Sequence, residues 1–164
     1  YMTNKENLFN IPYIYYGSMY VLTLVAMIVF FTLFTKLGAD VSKHISSIRC
    51  TGIFFICFIL LWCAGISLLD QLTIGQVIVY VVAVISIAIT PIFEPLIIFL
   101  VYLTIHSLFL IAMPYFQEST QLLLANSLNS TTFVIMSWAI SCMRYKKHAE
   151  DFINKKIILK KTTN

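Results

Sequence analysis

Few side chains in this sequence could do chemistry, and most of them sit inside apolar runs. Three histidines occur. His44 lies in a basic stretch and reads as solvated. His148 lies in Lys146-Lys147-His148-Ala149-Glu150-Asp151, and the 16 residues that follow cannot hold the dimerisation and nucleotide-binding domains a phospho-accepting histidine requires. His106 differs, because it stands beside Ser107 inside the apolar run 96–113. An ionisable group there is costly unless it faces a partner or a cavity. A neutral imidazole bonded to a neighbouring helix meets that condition as simply as a functional site does. The four cysteines, Cys50, Cys57, Cys63 and Cys142, form no C-x-x-C pair. They read as small apolar packers rather than metal or redox ligands. The patterns G-x-x-x-x-G-K-[ST], H-E-x-x-H and G-x-S-x-G are absent, so the sequence offers no enzyme motif and calls for no metal or cofactor.

One polar constellation stands out. Gln76 and Tyr80 are four residues apart, and Asn126 and Asn129 three apart within Asn126-Ser127-Leu128-Asn129-Ser130-Thr131-Thr132. On helices each pair shares a face. Buried amides are costly unless bonded, so these groups are expected to point into a helix bundle. Hydrogen bonding between helices, eased by the small residues Ser130, Ser137 and Ser141, is one use for them. A pocket for a small ligand, formed by Asp70, Gln76, Tyr80, His106, Asn126 and Asn129, is the other.

The elements that must position these groups follow from composition. Of 164 residues, 60% are hydrophobic and 11% charged, against about 25% charged in a soluble domain. That balance excludes a soluble enzyme, a disordered chain and a DNA-binding domain; no nucleic-acid partner is expected despite the net charge of +4. The expected fold class is all-α, a polytopic membrane helix bundle. Crossing the hydrocarbon core takes roughly 20 apolar residues. Five stretches qualify, at about 14–34, 50–69, 73–90, 96–113 and 122–142. Their breaks have physical causes. Charged residues from Lys36 to Arg49 end the first run, Asp70 and Gln71 the second, and Pro91 and Pro95 bracket the third break. Pro114, Gln117 and Glu118 make the fourth. Residues 1–142 thus read as a transmembrane bundle and 143–164 as a basic linker helix.

Seven of the eleven Lys and Arg lie between Arg144 and Lys161, which predicts a cytoplasmic C-terminus in a multi-pass cell-membrane protein. Five spans then put Lys36, Lys43 and Arg49 inside with that tail, and the loops at Asp70 and Glu118 outside without a basic residue. Glu94 and Asp70 fall on opposite sides and cannot pair as catalytic acids. Tyr13, Tyr15, Tyr16 and Tyr20 gather at the outer end of the first span, as aromatic belts do. A Tyr at position 1 makes the chain read as a fragment, with room for a sixth span upstream. No Pro or Gly occurs from Cys142 to Leu159, and Tyr145, Phe152 and Leu159 recur every seven residues, with Ala149 beside them. That stretch reads either as a parallel coiled coil of two copies or as a basic helix on anionic lipid.

Three groups of residues resemble a known family. They are Ser67-Leu68-Leu69-Asp70-Gln71-Leu72 followed by Gly75-Gln76 and Tyr80; Asn126-Ser127-Leu128-Asn129-Ser130 with Trp138; and Arg144-Tyr145 with Asp151-Phe152-Ile153-Asn154-Lys155-Lys156. In order and spacing, over about residues 14–157, they resemble the N-terminal multi-span sensor region of bacterial signalling proteins. The resemblance implies a last span that continues through a helical linker to a PAS or GGDEF (diguanylate cyclase) domain, less often to a histidine kinase. This chain ends before any such output domain.

The resulting expectation is a membrane-embedded sensory input module. Its partners would be membrane lipids, a small-molecule ligand and a second copy, with Tyr145, Ala149, Phe152 and Leu159 carrying the signal. A small transporter or channel subunit, or a membrane scaffold, is the alternative; the helix-end prolines and the odd number of spans fit inverted transporter repeats poorly. In a cysteine-free background, a cysteine at Thr73 is expected to react with a membrane-impermeant maleimide added outside intact cells, and one at Lys147 only after lysis. The reverse pattern would invert the topology.

Overall fold

The computed structural model describes residues 5–39, 41–90 and 93–162. The elements are α1 (Lys5–Gly38), α2 (Val41–Gln71), α3 (Ile78–Ile89), α4 (Pro95–Ala112), a 3-10 turn at Met113–Tyr115, and α5 (Thr120–Thr162). Among the described residues there is no strand, so the chain is all-α. Three segments, Ile14–Gly38, Lys43–Gln71 and Pro95–Tyr115, are long and apolar enough to cross a bilayer, which is compatible with a membrane location. The fourth apolar helix, α3, has 12 residues, or about 18 Å of rise against a core of about 30 Å.

The helices overrun the spans read from hydropathy, and the reason is physical. Hydropathy marks where apolar surroundings end, whereas Lys and Arg are good helix formers that let a helix continue into water. The charged stretch Lys36–Arg49, a loop by its composition, therefore lies almost wholly on the end of α1 and the start of α2. A kink at His44 (φ −114°, ψ 20°) separates the first turn of α2 from the rest. The opposite happens at α3. The apolar run predicts helix from Thr73, but α3 begins at Ile78, because Gly75 takes φ 73°, a left-handed turn favouring glycine.

The contacts divide the chain into two compact units, Tyr1–Tyr80 and Val81–Asn164, with the boundary inside α3. In the first unit α1 packs on α2 as an antiparallel hairpin. Among the described side chains of α1, from Ile14 on, the half-buried positions are Tyr16, Met19, Thr23, Ala26, Phe30, Phe34 and Leu37, a single stripe at spacings of three and four. Phe30 meets Phe55 with ring centroids 5.0 Å apart, and Tyr20 meets Trp62 at 6.0 Å, both edge-on. Trp62 Nε1 donates to the Met19 carbonyl at 3.1 Å. Gly65 leaves the space that the Met19 methyl fills, since a Cβ there would come within 2.7 Å of it. A second row on α2, Ile56, Leu60, Cys63, Ser67 and Gln71, is buried as well.

The second unit is built on α4 against α5. Pro95 opens α4, where a missing N–H costs nothing. Ser119 stands just ahead of α5, where a hydroxyl can cap the first turn. The buried side of α4 carries Ile98, Tyr102, Ile105, His106 and Phe109, continued by Met113 of the 3-10 turn, and the buried side of α5 carries Ser130, Val134, Ser137 and Ser141. Large side chains on one helix thus meet small ones on the other, which brings the backbones close. The Tyr102 hydroxyl donates to the Val84 carbonyl of α3 at 3.0 Å.

Ser67 ties α2 to the start of α3. It is wholly buried, and its Oγ accepts the Tyr80 backbone N–H at 2.9 Å. That N–H lies in the first turn of α3, where helices have no internal acceptor. Replacing Ser67 by Ala is expected to cost about 1–3 kcal/mol of stability, the penalty for an unanswered buried N–H. Ser46→Ala, at an exposed position of α2, should be neutral. Both can be read from reversible unfolding in mixed micelles, and equal effects would refute the capping role.

Candidate functional site

Polar groups in the first unit collect where α2 ends. The Asp70 carbonyl accepts three backbone N–H groups, from Thr73 at 3.2 Å and from Ile74 and Gly75 at 2.8 Å each. This closes the helix C-terminus that a left-handed glycine makes possible. The Asp70 carboxylate accepts the Tyr16 hydroxyl of α1 at 2.5 Å. Gln71, nearly buried, extends Nε2 to the Gln76 carbonyl at 2.7 Å. The turn is therefore a bonded structure rather than an open loop, and it locks the two helices of the hairpin at the end that carries Tyr16.

The structure corrects one placement. A spacing of four puts Gln76 and Tyr80 on one helix face, but Gln76 precedes α3 and its side chain is exposed, because the turn that needs Gly75 delays the helix. The Gln76 backbone carbonyl accepts from Gln71 Nε2. Tyr80 is buried, at 1% exposure.

In the second unit the polar groups lie along the α4–α5 contact. His106 is buried on α4, and its Nε2 stands 2.9 Å from the Thr131 hydroxyl of α5. Thr131 Oγ1 lies 2.7 Å from the Ser127 carbonyl, one turn back. A hydroxyl has one proton to give. Donated to Ser127, it leaves the Thr131 oxygen able to accept from His106 in the tautomer that carries its proton on Nε2. Ser127 Oγ donates to the Met113 sulfur at 3.6 Å, and Ser130 Oγ shares the Ser127 carbonyl at 3.2 Å. Further along, Trp138 Nε1 donates to the Pro95 carbonyl at 3.3 Å, and its ring meets Phe99 at 5.2 Å.

Of the residues singled out from sequence, Asp70, Gln76 and Tyr80 belong to the first unit, and His106, Asn126 and Asn129 to the second. Asn126 is half-buried and bonded, whereas Asn129 is exposed. On the exit segment of α5, Tyr145, Ala149 and Phe152 are exposed; the Leu159 side chain lies outside the described residues. Thr131 and Ser127, which His106 engages directly or through one step, are not among the candidates that residue type suggests. Their spacing of four on one helix, at the depth of His106, is the signal that points to them. No spacing links Tyr16 to Asp70, because that pair is made only by the hairpin.

An imidazole, three hydroxyls, a carbonyl and a thioether along a helix–helix contact can exchange hydrogen bonds with a small polar ligand or hold the helices in register. Among the described residues no group of three or more His, Cys, Asp or Glu could hold a metal ion. No family model, no curated protein and no solved structure matches this chain.

The His106–Thr131 bond makes a quantitative prediction. In a double-mutant cycle of His106→Leu and Thr131→Val, the coupling is expected at about 0.6–1.7 kcal/mol, the range for hydrogen bonds between membrane helices. Unfolding in mixed micelles measures it, and strictly additive losses would show that the pair does not interact.

Proposed function

We propose that this chain is the membrane-embedded input module of a bacterial signalling protein. It detects a small ligand or the state of the membrane and passes the response through its last helix to a cytoplasmic output domain, of diguanylate cyclase type, outside this chain. The observation that carries the reading is the continuity of α5. It has 43 residues without interruption, about 65 Å of rise, twice the hydrocarbon thickness of a bilayer. Asn126, Ser127 and Thr131 lie in its first third, and Tyr145, Ala149 and Phe152 in its second half. A displacement at one end of a rigid helix appears at the other without a hinge to absorb it.

In this mechanism five segments cross the membrane, the basic tail faces the cytoplasm, and a ligand competes for the hydrogen bonds of His106, Thr131 and Asn126. The ligand must bind one α4–α5 packing better than another, since only differential affinity shifts an equilibrium. The small side chains of α5 suit this role, because bulky α4 residues can re-seat along Ser130, Ser137 and Ser141 at low steric cost. Two copies associate through Tyr145, Ala149, Phe152 and Leu159, and the output domains follow the rotation or sliding of that pair.

Disulfide trapping in vesicles tests this. In the cysteine-free chain, Tyr145→Cys and Phe152→Cys are expected to form dimers readily on oxidation, and Lys147→Cys and Asn154→Cys poorly. Adding Asn126→Leu or His106→Leu should change the ratio of the two strong positions. Equal trapping at all four positions, or a ratio indifferent to the polar substitutions, would refute transmission through α5.

A further inference from the structure

Arg144 is a misfit on α5. The rest of the buried row, Ser130, Val134, Ser137 and Ser141, is small or hydroxylic, and Arg144 continues it three residues on. The side chain is half-buried, and its Nη1 is fully shielded from solvent with no hydrogen-bond partner among the described residues. No ion pair along α5 can answer it. The residues three and four before it are Ser141 and Ile140, and those three and four after it are Lys147 and His148. A guanidinium donor held out of water without an acceptor is costly, and turning it outward from the end of the packed region to an anion relieves that cost.

The location says which anion. Trp138, six residues earlier, carries the indole of an interfacial residue, 37% exposed and bonded to the Pro95 carbonyl. From Tyr145 to Ile158 every side chain of α5 is exposed. Arg144 therefore sits where helix packing ends, about 9 Å along the helix from Trp138, in the depth range of lipid headgroups if α5 leaves the bilayer there. Lys147, at i+3, stands on the same side. A single guanidinium with a lysine one turn away matches a phosphodiester, and its half-buried setting admits one headgroup rather than a diffuse ion cloud.

We propose that Arg144, with Lys147, binds the phosphodiester headgroup of an anionic phospholipid where α5 leaves the bilayer. This rests on the reading of α5 as a membrane-crossing helix but not on its role in signalling. Bound lipid would fix the base of the exit helix against the membrane.

Trp138 supplies the probe. In the full chain with Trp62→Phe, reconstituted in vesicles, its fluorescence is quenched by lipids brominated on the acyl chain. Brominated phosphatidylglycerol is compared with brominated phosphatidylcholine at equal mole fraction, each diluted in the unbrominated mixture. The expected result is preferential quenching by the anionic lipid, corresponding to about fivefold enrichment beside Trp138, the scale set by one basic side chain at a charged interface. Arg144→Gln should abolish the preference and Arg144→Lys should keep most of it, while Lys155→Gln with Lys156→Gln should leave it intact. Equal quenching by the two lipids in the wild-type sequence, or a preference that survives Arg144→Gln, would overturn the site. Absence of quenching by either lipid would instead refute the membrane placement of α5, and the site with it.

Discussion

A polar group carried into apolar surroundings must find its partner within the protein, and that requirement shapes each junction of this chain. Ser67 answers the first turn of α3. Tyr16 answers Asp70, and Gln71 the carbonyl of Gln76. His106 pairs with the Thr131 hydroxyl, which donates to the Ser127 carbonyl. Apolar packing, such as the aromatic edge contacts of the α1–α2 hairpin, fills the space between these points without fixing register. The hydrogen bonds between helices do that, since sliding α1 on α2 or α4 on α5 by a turn would strand Tyr16–Asp70 or His106–Thr131.

The same requirement explains why α4 and α5 differ so much in character. The buried side of α4 is bulky, with Tyr102 and Phe109, and that of α5 is small, with repeated serines. Close approach lets hydroxyls reach across, and α5 continues unbroken past the end of the packed region. One helix therefore bears both the polar groups that meet His106 and the exposed exit segment. In the proposed mechanism that shared backbone carries events within the bundle to the cytoplasm, and Arg144 marks the level at which the helix leaves its packing.

Much of this is legible in the residues. The all-α class follows from apolar runs too long for strands, and the helix breaks at Asp70 and at Pro95 from charge and ring geometry. The uninterrupted exit helix is readable in the lack of Pro and Gly after Cys142. Helix ends are less legible, because hydropathy reports the surroundings of a residue and not its backbone. Gly75 gives no sign in the sequence that its left-handed turn pushes Gln76 out of α3. Pairings across the hairpin are not legible at all. Tyr16 and Asp70 are 54 residues apart, and only the register of α1 on α2 joins them. His106 is recognisable as a group in need of a partner, and the nearby amides Asn126 and Asn129 are the conspicuous candidates. The hydroxyl of Thr131, a residue less conspicuous than either amide, stands 2.9 Å from the His106 Nε2.

The central claim is that α5 is a single rigid element from the polar cluster to the exit segment. Spin labels at Leu124 and Ile157, both exposed and 33 residues apart in sequence, measure it in the cysteine-free chain reconstituted in vesicles at high dilution. A continuous helix predicts one narrow distance distribution centred at about 50 Å between the labelled backbone sites, unchanged by His106→Leu. A broad distribution, or a centre shortened by several ångströms, would mean a hinge between the bundle and the exit segment, and transmission through a rigid α5 would be wrong.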